Sequence, residues 1–416
     1  MSTHDWFHGA VLAAITTLAG IGGSGCKWSE FDAIKDDAVV VSTTKPDNKS
    51  TIWGVGLVPA RHAVSGTEAG VLGVFGASEP TYNEIVYAAA GGATIGKRQL
   101  RLKDLAYASI NANPLTASAE DTDDIALVAV PTTEGVAFHG KSEQLTATAL
   151  PGSTQPDAAA FVKVDAGGAP TLVVADEDKL YTVEAAGASV CSLTGAGVAL
   201  HVRGLAGVRA VGDTADSILV WAEDRSLYLF PPAVVGTGCA GGTMDAPLPV
   251  ATTTFAPKAG SRILKLGAPL AGEPAAATVL LVGVNESQGI LAVYAQTSAA
   301  PATYAPVGAA VETDGSYSAT ILELADARYV ALGFPHASVD NVQAGQVRLY
   351  DVDATTGAGA VALVLNDSRP EDSESFGRAV AALPYNGTQV LTVAADNEVF
   401  LYYRTELYDE TRVRGQ

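Results

Sequence analysis

The sequence predicts an all-β chain, specifically a seven-bladed β-propeller of about 53 residues per blade whose ring is closed by an N-terminal strand. Three observations lead there. The chain has 416 residues, more than one compact core holds unless each repeat adds its own slice of core. Hydrophobic residues make up 48% and charged residues 17%, and 43 Gly and 20 Pro supply turns. Long Glu/Lys/Leu runs of helical period are missing, which favours strands. Finally, one unit recurs: a short apolar strand, a loop, then a second alternating strand.

The clearest copy is Tyr329 to Asp351. Tyr329, Ala331 and Gly333 alternate with Val330, Leu332 and Phe334. A polar loop with Asp340, Asn341 and Gly345 follows, then a second alternating run to Asp351. Period-two alternation bounded by Asn, Asp and Gly marks a hairpin. The other copies centre their apolar strands near Leu72, Leu127, Leu172, Leu219, Leu280 and Val390. An extra strand precedes several pairs, as in IWGVGLVPA, AAAFVKVD, SRILKLGAP and SATILELA. Alternation in RQLRLK, from Arg98 to Lys103, suits an exposed outer strand. Units of three or four short strands cannot bury both faces alone, but they can when packed face to face. Ala38 to Thr43 is expected to complete the last unit beside Glu398 to Tyr403. A string of sandwiches would show a period near 100 residues, about twice the one seen.

The N-terminus reads as an address. Ala10 to Ile21 is an apolar run too short for a stable membrane anchor, and it fits the core of an export signal. Gly23, Ser24 and Gly25 directly before Cys26 resemble the bacterial lipobox, although Gly23 stands where Leu is usual and the leader has no Lys or Arg. The resemblance implies cleavage before Cys26 and lipid on its sulfur; the competing reading is a buried N-terminal helix with a free thiol. The expected organisation is a signal peptide at 1–25, a lipidated Cys, tether and closing strand at 26–50, and the propeller at 51–416. Cys191 and Cys239 remain as an even pair that an oxidising compartment would join. Two separate thiols or a metal site are the other readings, and the latter lacks neighbouring His or Cys.

The segment ALGFPHASVDNVQAGQVRLYD resembles the FG-GAP repeat of integrin α-subunits and bacterial surface proteins. In that family a Gly such as Gly345 opens the second strand, and an opening Phe-Gly turn matches Phe376 and Gly377. Gly267-Ala268-Pro269 gives a literal GAP, one strand early. The resemblance covers roughly residues 316–403 and implies a propeller fold more safely than a function. Its calcium loop is not carried over, because Leu383 to Thr388 offers one Asn where several oxygen ligands are needed. Asp351 with Asp353 and Asp176 with Asp178 are expected in solvated turns.

Charge and motifs exclude more than they assign. The net charge of -20 repels phosphate backbones, so nucleic acid is not an expected partner. Gly91 to Lys97 fits a P-loop as text, but Arg98 replaces the hydroxyl and a strand follows. Gly236, Gly238 and Gly241 have dinucleotide spacing with no helix after them. His62, His139, His201 and His336 form no ligand motif. Tyr317, Tyr385, Tyr402 and Trp221 are read as core fillers ahead of a recognition rim. No cofactor, metal or catalytic residue is expected. The sequence therefore points to a non-enzymatic exported lipoprotein at the bacterial cell envelope, a scaffold module that binds a protein or glycan partner and is anchored by lipid, with the outer membrane as its expected location. The alternatives are a propeller hydrolase, a quinone-dependent dehydrogenase, or an outer-membrane assembly factor.

Overall fold

The computed structural model describes residues 40–402 apart from several loops, the longest of them 45–52, 102–126 and 367–374. By packing, the chain divides after Val39, and every described residue lies in the second unit. Cys26, the expected signal peptide and most of the tether lie outside the described residues.

Strand β1 is Val40–Thr44. Then follow β2 Trp53–Val64, β3 Thr67–Gly76, β4 Thr81–Tyr87 and β5 Thr94–Arg101, hydrogen-bonded in that order. Next come β6 Leu127–Val130, β7 Val136–His139 and β8 Thr146–Ala149. A third sheet holds β9 Ala158–Val162, β10 Thr171–Asp176, β11 Lys179–Glu184 and β12 Gly187–Ser192. Two short strands, β13 Thr194–Gly195 and β14 Val198–Ala199, precede β15 Val202–Val208, β16 Ser217–Ala222 and β17 Leu227–Phe230. Strand β18, Thr243–Met244, joins β13 in parallel to make a small extra sheet. A further sheet runs β19 Arg262–Lys265, β20 Thr278–Asn285, β21 Gln288–Ala299 and β22 Ala302–Asp314. Another runs β23 Ser318–Glu323, β24 Arg328–Phe334, β25 Gln346–Asp353 and β26 Gly357–Asn366. The last holds β27 Ala379–Tyr385, β28 Thr388–Ala394 and β29 Glu398–Tyr402.

The chain is thus all-β, built from multiple antiparallel four-stranded sheets. Each of the seven strand pairs expected from the sequence is an antiparallel neighbour pair. Strand β1 lies antiparallel on β29, with Val41 opposite Leu401 and Thr43 opposite Val399. Strand β5 is the outermost of its sheet, as the RQLRLK alternation predicts.

Period two does the organising. Alternate side chains of a strand point to opposite faces, and here each face meets a different sheet. Ile218 and Val220 of β16 enter the core shared with β9–β12, while Leu219 and Trp221 enter the core shared with β19–β22. On β20, Val279 and Leu281 face one way and Leu280 and Val282 the other, against β24 and β25. Leu391 and Val393 of β28 pack on the β23–β26 sheet. Leu57 of β2 joins the core on the other side of the last sheet. Strands β10, β16, β20, β24 and β28 are therefore buried on both faces and read as unbroken apolar runs such as TLVVAD and TVLLVG. Fully burying one Val or Leu contributes about 1.5–3 kcal/mol, so these double-faced strands carry much of the stabilisation. Outer strands are half-exposed by comparison, as β22 and β26 show.

The three motif residues of the expected Phe-Gly turn meet at one junction. Gly345 and Phe376 form a parallel bridge, and the Phe376 amide donates to the Ala344 carbonyl at 2.9 Å. Phe376 is fully buried, with its ring edge-on to Phe400 at 5.5 Å. Gly345 and Gly377 have φ of 89° and 86°, and a Cβ on Gly345 would lie 2.2 Å from the Phe376 carbonyl oxygen. Only glycine satisfies both the left-handed backbone and the close approach.

Candidate functional site

The first strands of successive sheets stand side by side: β9 touches β15, β15 touches β19, β19 touches β23, β23 touches β27, and β27 touches β2. They run in the same sense through their sheets, so their beginnings and ends make two distinct rims within this unit.

At the beginnings, charges tie neighbouring sheets together. Arg203, at the start of β15, donates to Asp157 at 2.8 Å and to Glu223 at 2.5 and 3.0 Å. Lys258 reaches the other oxygen of Glu223 at 2.6 Å. Hydrogen bonds from Lys258 and Arg203 pull the Glu223 carboxyl down to about 2. Burial pushes Asp157 up despite the Arg203 guanidinium. At the same strand ends, Tyr317 stacks edge-on against His336 at 4.9 Å, and Arg378 lies 3.3 Å from Asp396.

At the opposite ends lies a cavity of about 630 Å³. Its walls come from β9, β15, β19 and the loop before β20, with small residues such as Ala159, Ala206, Gly207 and Ala277. Each first strand around it finishes with a charge: Lys163 after β9, Arg209 after β15, Lys265 ending β19 and Glu323 ending β23. Asp216 completes the set. Its Oδ1 accepts from Arg209 Nε at 2.9 Å and its Oδ2 from the Lys163 amide at 2.9 Å. Glu323 Oε1 accepts from the Gly267 amide at 2.5 Å and from Arg328 Nε at 3.2 Å. Both carboxylates are thus engaged in joining adjacent sheets.

Behind Glu323 is a buried ion pair. The Arg328 and Glu273 side chains are 1% and 4% exposed. Arg328 donates to both Glu273 oxygens at 3.0 Å and to the Ala268 carbonyl at 2.8 Å. The amides of Leu270 and Ala354 also donate to Glu273, each at 2.7 Å. Burial opposes its charge, but these donors hold the carboxyl below the usual value. The pair fastens the loop before β20 to the β23–β26 sheet.

The predicted site residues do not converge here. Phe376, Gly377 and Gly345 sit at the other strand ends. Cys191 is buried on β12, and Cys239 lies outside the described residues. Trp221 is buried and Tyr402 packs on a core, whereas Tyr317 is exposed; the side chain of Tyr385 lies outside the described residues. His201 and His336 are exposed. Asp176 corrects an expectation: it is buried, not solvated, and accepts from Ser153 Oγ at 2.5 Å. Asp353 does stand at a turn, where it accepts from the amides of Thr355 and Thr356. Among the described residues no group of three or more His, Cys, Asp or Glu is placed to hold a metal ion, and no helix is long and apolar enough to cross a membrane.

The sequence reading missed the charged strand ends. Their signal is the triplets VKV, VRA, LKL and LEL, each placing one charge at the close of a first strand.

No family model matches the chain, and no curated protein matches it. Solved structures do. A chain of Chaetomium thermophilum Polycomb Repressive Complex 2 bound to GSK126 matches with a TM-score of 0.53 at 10% identity, over 88% of this chain and 98% of that one. A humanized mutant of the same complex bound to the inhibitor GSK343 gives 0.54 at 9% identity, with the same coverage. At such identity the likeness is one of fold, and together with the sheet packing it places the described unit among propeller-type β folds.

Proposed function

We propose that this chain is a non-enzymatic binding scaffold: a seven-bladed propeller over residues 51–416, closed by β1, and held at a bacterial cell envelope by lipid on Cys26. Each strand-pair unit is one blade, and β1 on β29 supplies the closing strand. The β6–β8 sheet meets the third sheet through β8 and β12, and β2 meets β27. Closure of the ring then requires one remaining link, between the β2–β5 and β6–β8 sheets.

The observation that carries the scaffold reading is the fate of the cavity's carboxylates. Asp216 and Glu323 each hold neighbouring sheets together through main-chain and guanidinium donors. Groups fixed in that way serve architecture, and proton transfer needs a carboxyl presented to substrate. The fold-level match to a chain of a multi-protein complex supports a protein partner ahead of a glycan. The lipid on Cys26 rests on the lipobox resemblance, and the outer membrane is the location it favours.

A Cys191–Cys239 disulfide fits the same reading, since an exported chain meets oxidising conditions. Its support is local. On one flank of Cys239 the Gly236 amide donates to Thr182 of β11 at 2.8 Å; on the other, the Thr194 amide, three residues past Cys191, donates to the Gly242 carbonyl at 2.9 Å.

Two measurements on one preparation test the proposal. Intact mass of the mature protein from solubilised membranes is expected to start at Cys26 and carry acyl chains; an unmodified chain from Met1 overturns the anchor. Affinity capture from the same membranes is expected to bring down a stoichiometric protein. A preparation that retains no partner overturns the scaffold.

A further inference from the structure

The loop between β19 and β20 behaves as a part of its own, whatever the cavity holds. We infer that residues 267–276 form a strap at the edge of the cavity, that the strap opens as a unit, and that the Glu273 carboxylate is the latch holding it shut.

Composition is the first reason. The segment GAPLAGEPAA has one charged residue, Glu273, and one large apolar residue, Leu270. None of its side chains enters any of the described cores. Most of its residues are exposed, and Gly272 turns with a φ of 95°. The base is closed, since the Leu266 amide donates to the Thr278 carbonyl at 3.0 Å. A segment that leaves and returns at one point is an Ω-loop. Both stems line the cavity, with Leu266 and Gly267 on one side and Ala276 and Ala277 on the other.

The fastening is polar and converges on the neighbouring sheet, β23–β26. The Gly267 amide donates to Glu323 at 2.5 Å, and the Ala268 carbonyl accepts from Arg328 at 2.8 Å. Glu273 accepts from Arg328 at both oxygens, each at 3.0 Å, and from the Ala354 amide at 2.7 Å. Among the described residues, Glu273 is the one strap side chain that bonds outside the strap. Its carboxylate also accepts from the Leu270 amide at 2.7 Å, and its own amide donates to the Leu270 carbonyl at 3.0 Å. The tip is therefore tied to itself and moves in one piece.

Breaking a buried ion pair is costly when a charge is left stranded. Here neither is. When the strap lifts, Arg328 keeps Glu323, to which its Nε donates at 3.2 Å. Glu273 moves from a side chain 4% exposed into water. A segment with little apolar burial and a polar fastening opens at a lower free energy than the sheets beside it. Lifting it uncovers the cavity wall between Leu266 and Glu323.

Hydrogen exchange resolved to single amides, on the full mature protein, tests this. Gly267 and Ala354 donate across the gap between strap and sheet, so their amides report its opening. In the wild type both should exchange at rates that low urea leaves unchanged, while the amides of β20 exchange far more slowly and with steep urea dependence. Exchange of Gly267 and Ala354 only together with β20 overturns the strap, and this arm needs no variant. Glu273→Gln keeps the shape and removes the charge. It should speed both amides by at least about tenfold and leave β20 as it was. Gly267 discriminates, because Glu273 does not touch it: a gain at Ala354 alone overturns the opening as a unit, and no gain at either overturns the latch. Access to the cavity is read from Ala277→Cys, at a stem whose carbonyl the Gln296 amide holds at 2.9 Å. With the parent protein's labelling subtracted, a maleimide should reach this thiol about tenfold faster once Glu273→Gln is added. Equal rates overturn the strap's control of the cavity.

Discussion

Arg328 is the residue at which burial and charge meet most sharply. With its side chain 1% exposed and its guanidinium on Glu273, Glu323 and Ala268, it leaves no donor direction facing solvent. Removing one member of such a pair leaves the other as an uncompensated buried charge, so Arg328→Met should destabilise by about 3–5 kcal/mol. The double variant Arg328→Met with Glu273→Leu should recover most of that, because the stranded carboxylate is gone. Urea midpoints of the three proteins check it; a double variant as weak as the single one would show that packing, not charge, sets the loss. Gly345 makes a different demand. Gly345→Ala adds a Cβ 2.2 Å from the Phe376 carbonyl oxygen at a φ of 89°. Strain at such a position costs about 1–3 kcal/mol before the clash is counted. The same denaturation experiment should place it beside Arg328→Met, and a loss under about 0.5 kcal/mol, the range of neutral surface changes, would mean the junction gives way freely.

Strand β1 shows what an element contributes beyond its own residues. It covers the outer edge of β29 over five residue pairs, Val40 to Thr44 against Tyr402 to Glu398. An uncovered edge presents unpaired N–H and C=O groups and invites pairing with other chains. Deleting residues 40–44 should therefore remove hydrogen-exchange protection across Glu398 to Tyr402, while the β9–β12 sheet keeps its own. Unchanged protection in β29 would mean that β1 only rests there. This strand was legible in the sequence because it is apolar, sits alone after a polar tether and has no partner nearby in the chain. Second strands such as β10 and β20 were legible because burial on both faces writes an unbroken apolar run. Outer strands were harder to read. In β22 and β26 most residues are half-exposed, so Ala, Gly and Thr satisfy them and no period stands out. The cavity was harder still. Lys163, Arg209, Lys265 and Glu323 lie scattered along the chain, and each looks like the polar step of an ordinary alternation. Only side-by-side packing of four first strands makes them one surface, and that packing is a tertiary fact.

For the molecule as a whole, pH acts through two opposed sets of carboxyls. Glu223 is drawn from 4.5 down to about 2 by Lys258 and Arg203, and Glu273 is also held below its ordinary value. A carboxyl whose folded value is depressed contributes stability that is fully present above its unfolded value and lost as pH falls through the folded one. Asp157 and Asp396 are raised, chiefly by burial. A raised carboxyl is the reverse case: it penalises folding at neutral pH, and acid relieves the penalty as pH falls through the folded value. The formal charge of -20 works with the second set, since partial protonation reduces self-repulsion in the compact state. Melting temperature should accordingly rise from pH 7 to a maximum near pH 5 and then fall as pH drops from about 4.5 toward 2, when the Glu223 bridges are lost. Salt separates the causes. Added at pH 7, it should raise the melting temperature, because it screens dispersed repulsion more than the close Arg203–Glu223–Lys258 contacts. Added at the maximum, it should do much less. A melting temperature that falls steadily from pH 7 downward, with no response to salt, would mean that the ion pairs between sheets outweigh the charge of the whole surface.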